Sequence, residues 1–275
     1  MITCEFFGGL GNNLFQLATV YAIHKKHGFE LQIPSITGRG NIASLGQEPN
    51  LEIHRLFDND FIYNNSLNLP KYNHADMELL TTNFEYKEFP IQDNICYNGY
   101  FQSDRYFLGV DISKELKLKQ ENIDRILEHC GDIYNKKTIS LHYRLGGDRV
   151  LDHMQHYHKN VSIDYYKKAL SLIGDYNSDD YNILVFSDKM NMCKEILKDL
   201  SYPFIFVEDA DNVTDFTMMS MCDINIIGNS TFSWWAAYMN QNENKKVIVP
   251  ESEWFGPGYS HFNLTDSFPK SWIRL

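Results

Sequence analysis

The sequence predicts an α/β protein made of two halves, each built on a parallel sheet. Three observations support this fold class. A short apolar strand, a glycine-rich turn and an amphipathic helix open the chain; strand-length and helix-length segments alternate through the second half; and polar residues cluster where the predicted strands end. The length of 275 residues suits two domains of ordinary size. We therefore expect domains at 1–135 and 136–275.

The first half opens with a βαβ unit. A strand is predicted over 2–7, and apolar residues at helical spacing then continue to residue 27, where Gly28 ends the helix. A second strand is predicted over 30–33. Because a strand, a helix and a strand follow one another closely, the two strands are expected to be parallel.

The rest of the first half has less regular patterning. Residues 35–95 contain many Asn and aromatic residues and only short periodic segments, so irregular structure is expected there. A charged helix predicted over 116–129 precedes the domain boundary.

The second half alternates regularly between strands and helices. Strands are predicted over 138–143, 182–186, 203–207, 223–227 and 246–249, with helices over 163–173, 190–200, 214–221 and 230–239. This order is typical of a doubly wound parallel sheet, which binds ligands at the carboxyl ends of its strands.

Composition and charge exclude some kinds of binding partner and indicate the protein's environment. The formal net charge is −11, from 36 acidic and 25 basic residues, and no basic stripe is present, so nucleic acid is not expected as a partner. No apolar run reaches the length of a membrane span, and the N-terminus lacks a signal-peptide pattern. The five cysteines are odd in number and contain no CxxC pair. We expect a soluble, cytoplasmic protein with reduced thiols.

A glycine-rich loop lies between the first strand and the first helix. Gly8, Gly9, Gly11 and Asn12 let the backbone approach a ligand, and the helix N-terminus after them favours an anion. A nicotinamide-dinucleotide site would need a third glycine where Leu14 stands, so an NAD-dependent oxidoreductase is the weaker interpretation. A tight turn without a ligand is the plain structural alternative.

Arg144 follows directly on a predicted strand of the second half. It lies between His142 and Asp148, and glycines come after it. A guanidinium there can hold two phosphate oxygens at once and stays charged at any relevant pH. The alternative is a structural ion pair with a neighbouring carboxylate.

Two other predicted strand ends carry polar residues. Asn229, Ser230, Thr231 and Phe232 follow one strand, where a hydroxyl at the start of a helix can help to bind an anion. Asp188 follows another strand and can accept hydrogen bonds from a base or a ribose. Three polar strand ends on one side of one sheet predict a nucleotide-binding cleft.

Two acidic or histidine-rich segments could instead bind a metal. The D-x-D spacing of 209–211 suits a divalent cation on a diphosphate, but acidic loops and helix caps commonly have the same pattern. Asp152, His153, His156 and His158 match no structural zinc spacing. We favour a loop in both cases, although one of these histidines could act as a general base. A glycan-binding protein without catalysis, using aromatic residues alone, is a further alternative.

Four segments in order carry a family resemblance: Phe7–Gln16, Gly99–Ser103, the H-x-R-x-G pattern from His142, and Asn229–Trp235. Together they resemble the α-1,2-fucosyltransferases of glycosyltransferase family 11 over nearly the whole chain. The resemblance implies two Rossmann-like halves in a variant GT-B fold. It also implies inverting transfer of L-fucose from GDP-fucose to a galactose-type hydroxyl of an oligosaccharide acceptor, with no metal or other cofactor required.

The resemblance also implies roles for matched positions. Arg144 matches the arginine that holds the donor pyrophosphate, and His142 is expected beside the nucleotide. Ser230 and Thr231 match the phosphate-binding turn, and Asp188 a nucleoside contact. The glycine loop with Asn12 matches the element that faces the sugar and the acceptor from the first domain.

The sequence departs from the family pattern at one place. The family reads H-x-R-R-G-D, whereas here Leu145 replaces the second arginine and Gly147 moves the acidic residue to Asp148. This departure bears on the transferred sugar and on proton transfer, for which Asp148, a histidine and water are the alternatives.

Overall fold

A computed structural model describes residues 1–34, 49–64, 68–75, 85–174 and 180–275, without the side chains of residues 49–51, 148 and 152. The chain forms two compact units, one of residues 1–119 and 261–270 and the other of residues 120–260 and 271–275. The sequence placed the boundary near residue 135, after the charged helix. In the structure this helix belongs to the second unit, and the later segment 261–270 belongs to the first unit.

The first unit contains short parallel strands and the helices between them. Its elements are β1 (Ile2–Cys4), α1 (Leu10–His27), β2 (Gln32–Ile33), α2 (Pro49–Leu56), β3 (Ile62–Tyr63), β4 (Lys71–Asn73), β5 (Ile95–Asn98) and α3 (Ile112–Glu115). One sheet has the order β1-β5-β4 and another pairs β2 with β3, all in parallel. A parallel bridge between Ile2 and Leu31 connects β1 to the start of β2, which confirms the predicted βαβ unit.

Two predictions for this unit need correction. β1 ends at Cys4 rather than Phe7: Phe6 and Phe7 are both buried, but Phe6 lies outside any strand and Phe7 makes only an isolated β-bridge. Within the described part of 35–95, the expectation of irregular structure was wrong at α2, β3 and β4, whereas 85–94 contains no helix or strand, as expected. α1 ends as predicted at Gly28, which has a positive φ of 72°.

The second unit is a six-stranded parallel sheet with helices on both faces. Its elements are α4 (Gln120–Cys130), β6 (Lys137–His142), α5 (Asp152–Gln155), α6 (Ile163–Ser171), β7 (Tyr181–Phe186), α7 (Met190–Leu197), β8 (Phe204–Phe206), α8 (Asn212–Ser220), β9 (Ile224–Ile226), α9 (Thr231–Met239), β10 (Lys246–Val249) and β11 (Ile273–Arg274). The strand order is β11-β10-β9-β6-β7-β8. The chain moves outward from β6 to β8 and then returns to the other side of β6 with β9. The predicted doubly wound sheet is confirmed.

The two faces of this sheet have different packing. On one face, Ile139 and Leu141 of β6 pack with α6 and α7 in a cluster of buried apolar residues. On the other face, Asn225 of β9 donates from its amide to Ser140 Oγ at 2.8 Å and to Met219 O at 2.7 Å. Since buried amides need partners, this polar network fixes how α8 lies on the sheet.

Candidate active site

The carboxyl ends of β6 and β9 meet at the point where the strand order reverses. Open α/β sheets bind ligands at this topological switch point. Gly228, which follows β9, lies against β6 so closely that a Cβ on it would be 2.8 Å from the His142 carbonyl oxygen. A residue with a side chain would push the two strand ends apart. Gly228 therefore allows the loops after β6 and β9 to form one surface.

Arg144 lies in the loop after β6 and pairs with Asp188, which follows the neighbouring strand β7. Arg144 Nε is 3.0 Å from Asp188 Oδ2, and both side chains are about 30% exposed. Asp188 Oδ1 accepts the backbone N–H groups of Leu145 at 2.8 Å and Gly146 at 2.9 Å. Burial raises the pKa of Asp188, but Arg144 and these N–H donors lower it by more, so Asp188 is ionised. One carboxylate thus fixes both the loop and the guanidinium.

The two glycines after Leu145 make this arrangement possible. A Cβ on Gly146 would lie 2.8 Å from Asp188 Oδ2, and one on Gly147 would lie 2.7 Å from Arg144 Nη2. Gly147 also has a φ of 68°, which favours glycine. Leu145 itself is buried in the apolar core at 1% exposure. The residue after Arg144 therefore adds no charge to the site.

His142, the last residue of β6, is a buried neutral imidazole. Its Nδ1 has no hydrogen-bond partner in the part of the chain that the structure describes, and its ring lies 6.0 Å from that of Phe232. Burial lowers the pKa of His142 to about 4; Asp188 opposes this effect, and the charges of Arg144 and Arg149 add to it. The Asp148 side chain lies outside the described structure, so its predicted role stays a prediction.

Asn229 joins several loops at the switch point. Its Nδ2 donates to the carbonyl oxygens of Lys159 at 2.9 Å, Trp254 at 3.2 Å and Glu253 at 3.3 Å. Its own carbonyl oxygen and Oδ1 accept Arg149 Nη2 at 2.7 and 3.1 Å. The sequence suggested Asn229 as a substrate contact. The structure instead gives its polar atoms protein partners and makes it a residue that positions the turn before α9.

The turn after Asn229 presents the N-terminus of α9. Ser230 is the N-cap, and its Oγ accepts the backbone N–H of Phe232 at 3.3 Å. Thr231 is the first helical residue, and Phe232 packs edge-on against Phe216 with ring centroids 5.6 Å apart. The first backbone N–H groups of a helix attract anions. This N-terminus and Arg144 are the features of the site best suited to a phosphate group.

A cleft of about 510 Å³ opens at the carboxyl ends of β7 and β8, where its lining includes the residues on either side of Asp188. It is lined by Ser187, Lys189, Met190, Asn191, Met192, Val207, Glu208, Asp209, Ala210 and Asp215. Asp215 in the first turn of α8 has a buried Oδ1 that no described residue hydrogen-bonds. Burial, and to a lesser extent the charge of Asp211, raises the pKa of Asp215 to about 7. Such a carboxyl group in a cleft is a candidate ligand contact.

Sequence reasoning missed Asp215, Arg149 and Lys189. An acidic residue in the first turn of a helix is ordinary, because it favours the helix dipole, and nothing in the sequence shows that it is buried. Arg149 lies three residues after the H-x-R-x-G pattern, and its partner Asn229 is 80 residues away in the sequence. Lys189 directly follows the predicted Asp188, and no motif in the sequence marks it.

The glycine loop lies in the first unit, between β1 and α1. Gly8 has a φ of 79°, and a Cβ on it would be 2.3 Å from Asn12 Nδ2. Gly9 is the N-cap of α1, and no side chain caps this helix. Asn12 Oδ1 accepts Gln102 Nε2 at 3.0 Å, so two of the motifs in the sequence meet here. Gly11 is buried in the first turn of α1, and the ligand roles of this loop stay predictions.

The candidate metal segments form other structures. Asp211 Oδ1 caps α8 by accepting the Thr214 N–H at 2.8 Å, as expected of an acidic helix cap. His158 packs on Tyr259, and His156 on Tyr157. Among the residues that the structure describes, no three His, Cys, Asp or Glu side chains are grouped as they would be to hold a metal ion.

The whole chain is similar to known glycosyltransferases. The sequence model of glycosyl transferase family 11 matches residues 1–275. The O-antigen biosynthesis glycosyltransferase WbnK of Escherichia coli is 32% identical over 196 residues, which is 67% of this chain but only 62% of that protein. An α-1,2-colitosyltransferase of Escherichia coli is 24% identical over 100% of this chain and 99% of its own.

Solved structures with the same fold include fucosyltransferases. NodZ from Bradyrhizobium superposes with a TM-score of 0.52 at 15% identity, covering 86% of this chain and 91% of its own. POFUT1 has a TM-score of 0.54 at 13% identity, covering 90% of this chain and 96% of its own. These similarities confirm the predicted GT-B-like α/β fold. In the described part of the chain, no helix is long and apolar enough to cross a membrane.

Proposed function

Because the chain belongs to glycosyl transferase family 11, and is therefore a glycosyltransferase, we propose that it transfers L-fucose from GDP-fucose. The acceptor is a galactose-type hydroxyl of an oligosaccharide, and the reaction inverts the anomeric centre to give an α-1,2 linkage. The observation that carries this proposal is Arg144, fixed by Asp188 at the switch point near the N-terminus of α9. The solved fucosyltransferases of this fold include NodZ soaked with GDP-fucose and POFUT1 in complex with GDP-fucose, which supports the choice of donor.

Arg144 and the N-terminus of α9 stabilise the departing diphosphate. When the bond between sugar and phosphate breaks, negative charge builds up on the leaving group while the sugar becomes oxocarbenium-like. Asp188 holds the guanidinium before the reaction begins, so little reorganisation is needed. A preorganised guanidinium and helix N–H groups can supply this stabilisation without a metal, and we propose a metal-independent reaction.

Asp215 binds the guanine base in the neighbouring cleft. Guanine presents an N1–H and an N2 amino group side by side, and one carboxylate can accept both in a bidentate pair. Asp215 Oδ1 lacks a protein donor, and Met190, Met192 and Val207 give the cleft apolar walls for a flat base. Adenine and uracil lack this pair of donors, so Asp215 selects for guanine.

Asp148 is the proposed group for proton transfer from the acceptor hydroxyl. The pKa of His142, about 4, makes it a weak base at neutral pH. His142 is better suited to a hydrogen bond through Nδ1. Asp148→Asn should therefore lower the rate of transfer to the acceptor without weakening GDP binding.

A binding panel tests this function most directly. Thermal shift and calorimetry with GDP, UDP, ADP and NAD, each with and without EDTA, should give the largest effect for GDP in both conditions. Transfer from GDP-fucose to a galactose-terminated oligosaccharide then checks the reaction. Preference for NAD would indicate an oxidoreductase, and no affinity for any nucleotide would indicate a glycan-binding protein.

A second donor is favoured by one comparison. One relative that matches the chain over its whole length is an α-1,2-colitosyltransferase. A colitosyl nucleotide should therefore be assayed beside GDP-fucose, at equal concentration and with the same acceptors. Faster transfer of the colitosyl group would change the proposed sugar and leave the diphosphate and base contacts as described.

A further inference from the structure

Lys189 lies where the loop after β6 meets the cleft that contains Asp215. It directly follows Asp188 and is the N-cap residue of α7. Its side chain passes over Gly146, since a Cβ on that glycine would be 3.2 Å from Lys189 Cε. The same lysine lines the cleft together with Asp215. It therefore borders both the diphosphate-binding loop and the base-binding cleft.

Most of the charged side chains near Lys189 are carboxylates, and two of them form ion pairs with cations other than Lys189. Asp188 pairs with Arg144, and Glu208 pairs with Lys194 at 2.5 Å. Lys189 makes no ion pair with any residue in the described ranges, although it is exposed beside Asp188. Its ammonium group is thus available to a ligand.

The site needs a second cation. A nucleoside diphosphate brings at least two negative charges into a cleft that already contains Asp209 and Asp215. Leu145 adds no charge after Arg144, and Arg149 is buried against Asn229. A lysine provides three N–H donors on a flexible stem, which suits phosphate oxygens whose position is set by other contacts.

We propose that Lys189 binds the diphosphate of the donor nucleotide together with Arg144, and so makes the site prefer diphosphates to nucleosides. This inference rests on the proposed function, because it assumes a nucleotide-sugar donor. Lys189 acts mainly on donor binding. Arg144 also stabilises the charge that develops as the sugar leaves.

Calorimetry on the whole chain tests this role with GDP, guanosine and inorganic diphosphate. Lys189→Met should weaken binding of GDP and of inorganic diphosphate five- to tenfold and leave guanosine binding unchanged. Lys189→Arg should keep most of the affinity, and the difference should shrink at high salt. Lys198→Met is the matched control, because Lys198 lies at the other end of α7 and pairs with Glu195.

Two results would overturn the role of Lys189. One is unchanged binding of GDP and inorganic diphosphate by Lys189→Met. The other is an equal loss for guanosine, which would mean that the lysine shapes the cleft. If Lys189→Met loses diphosphate binding but the unmodified protein shows no preference for guanine nucleotides, the proposed donor fails and the role of Lys189 stands.

Discussion

Replacing Asp215 by Asn should stabilise the protein while damaging its donor site. The folded protein holds the pKa of Asp215 at about 7, against an ordinary value of 3.8. Above pH 7 the folded state therefore carries a buried carboxylate that lacks a donor for Oδ1. The gap of about three pH units corresponds to about 4 kcal/mol as an upper limit. Because part of the side chain faces the cleft, we expect Asp215→Asn to raise the free energy of unfolding by about 2 kcal/mol at pH 8.

The sign of the pH dependence follows from proton binding. Between pH 4 and 7 the folded state keeps a proton on Asp215 that the unfolded state has lost, so this group contributes less stability as pH rises. The advantage of Asp215→Asn should therefore be larger at pH 8 than at pH 5.5. Urea unfolding followed by circular dichroism at both pH values measures it. Asp164→Asn is the control, since Asp164 lies in the first turn of α6 with 85% of its side chain exposed.

The same variant tests the base contact. Loss of a bidentate, charge-assisted pair should weaken GDP binding by about 10- to 100-fold. In the unmodified protein, GDP should bind more tightly as pH rises through 7, because only the ionised carboxylate accepts both guanine donors. The reasoning about Asp215 is refuted if Asp215→Asn has the same stability as the unmodified protein at both pH values. An advantage that does not grow with pH would refute it equally.

Four further predictions concern the Arg144 site. Arg144→Lys should lower kcat about 100-fold, because a point charge replaces the guanidinium, and near-native turnover would contradict this. Transfer should continue in EDTA; loss of activity that Mn²⁺ restores would instead implicate the D-x-D segment. Gly146→Ala should reduce kcat by displacing Asp188, whereas Gly131→Ala, with its nearest contact at 3.9 Å, should be neutral in the same assay. Asn229→Ala should destabilise the protein by about 2–3 kcal/mol in urea unfolding, because Arg149 loses one of its two acceptors and three backbone carbonyl groups lose a donor; an unchanged midpoint would mean that the Asn229 contacts contribute little.

The strands of the second half could be predicted because most of them are apolar runs long enough to be recognised in the sequence. β6, β7 and β10 lie within one or two residues of their predicted bounds, and the polar residues after β6 and β9 do meet at one edge. The short strands β3 and β4 escaped prediction, since two or three residues give no detectable period. The role of Asp215 was not predicted, for a different reason. Its burial and missing hydrogen bond come from tertiary packing, which a helix-start pattern does not encode.

The strand order also has a consequence for how the protein is made. β6 pairs with β7, which follows it closely, but β9 reaches β6 only after β8 and α8 have been synthesised. Gly228 and the N-terminus of α9 come later still. A nascent chain that ends before β9 therefore has Arg144 and Asp188 but no complete anion site. Long-range parallel pairing forms slowly. A nucleotide that binds at the proposed site would therefore bind only chains whose sheet has closed, and it would favour refolding by mass action.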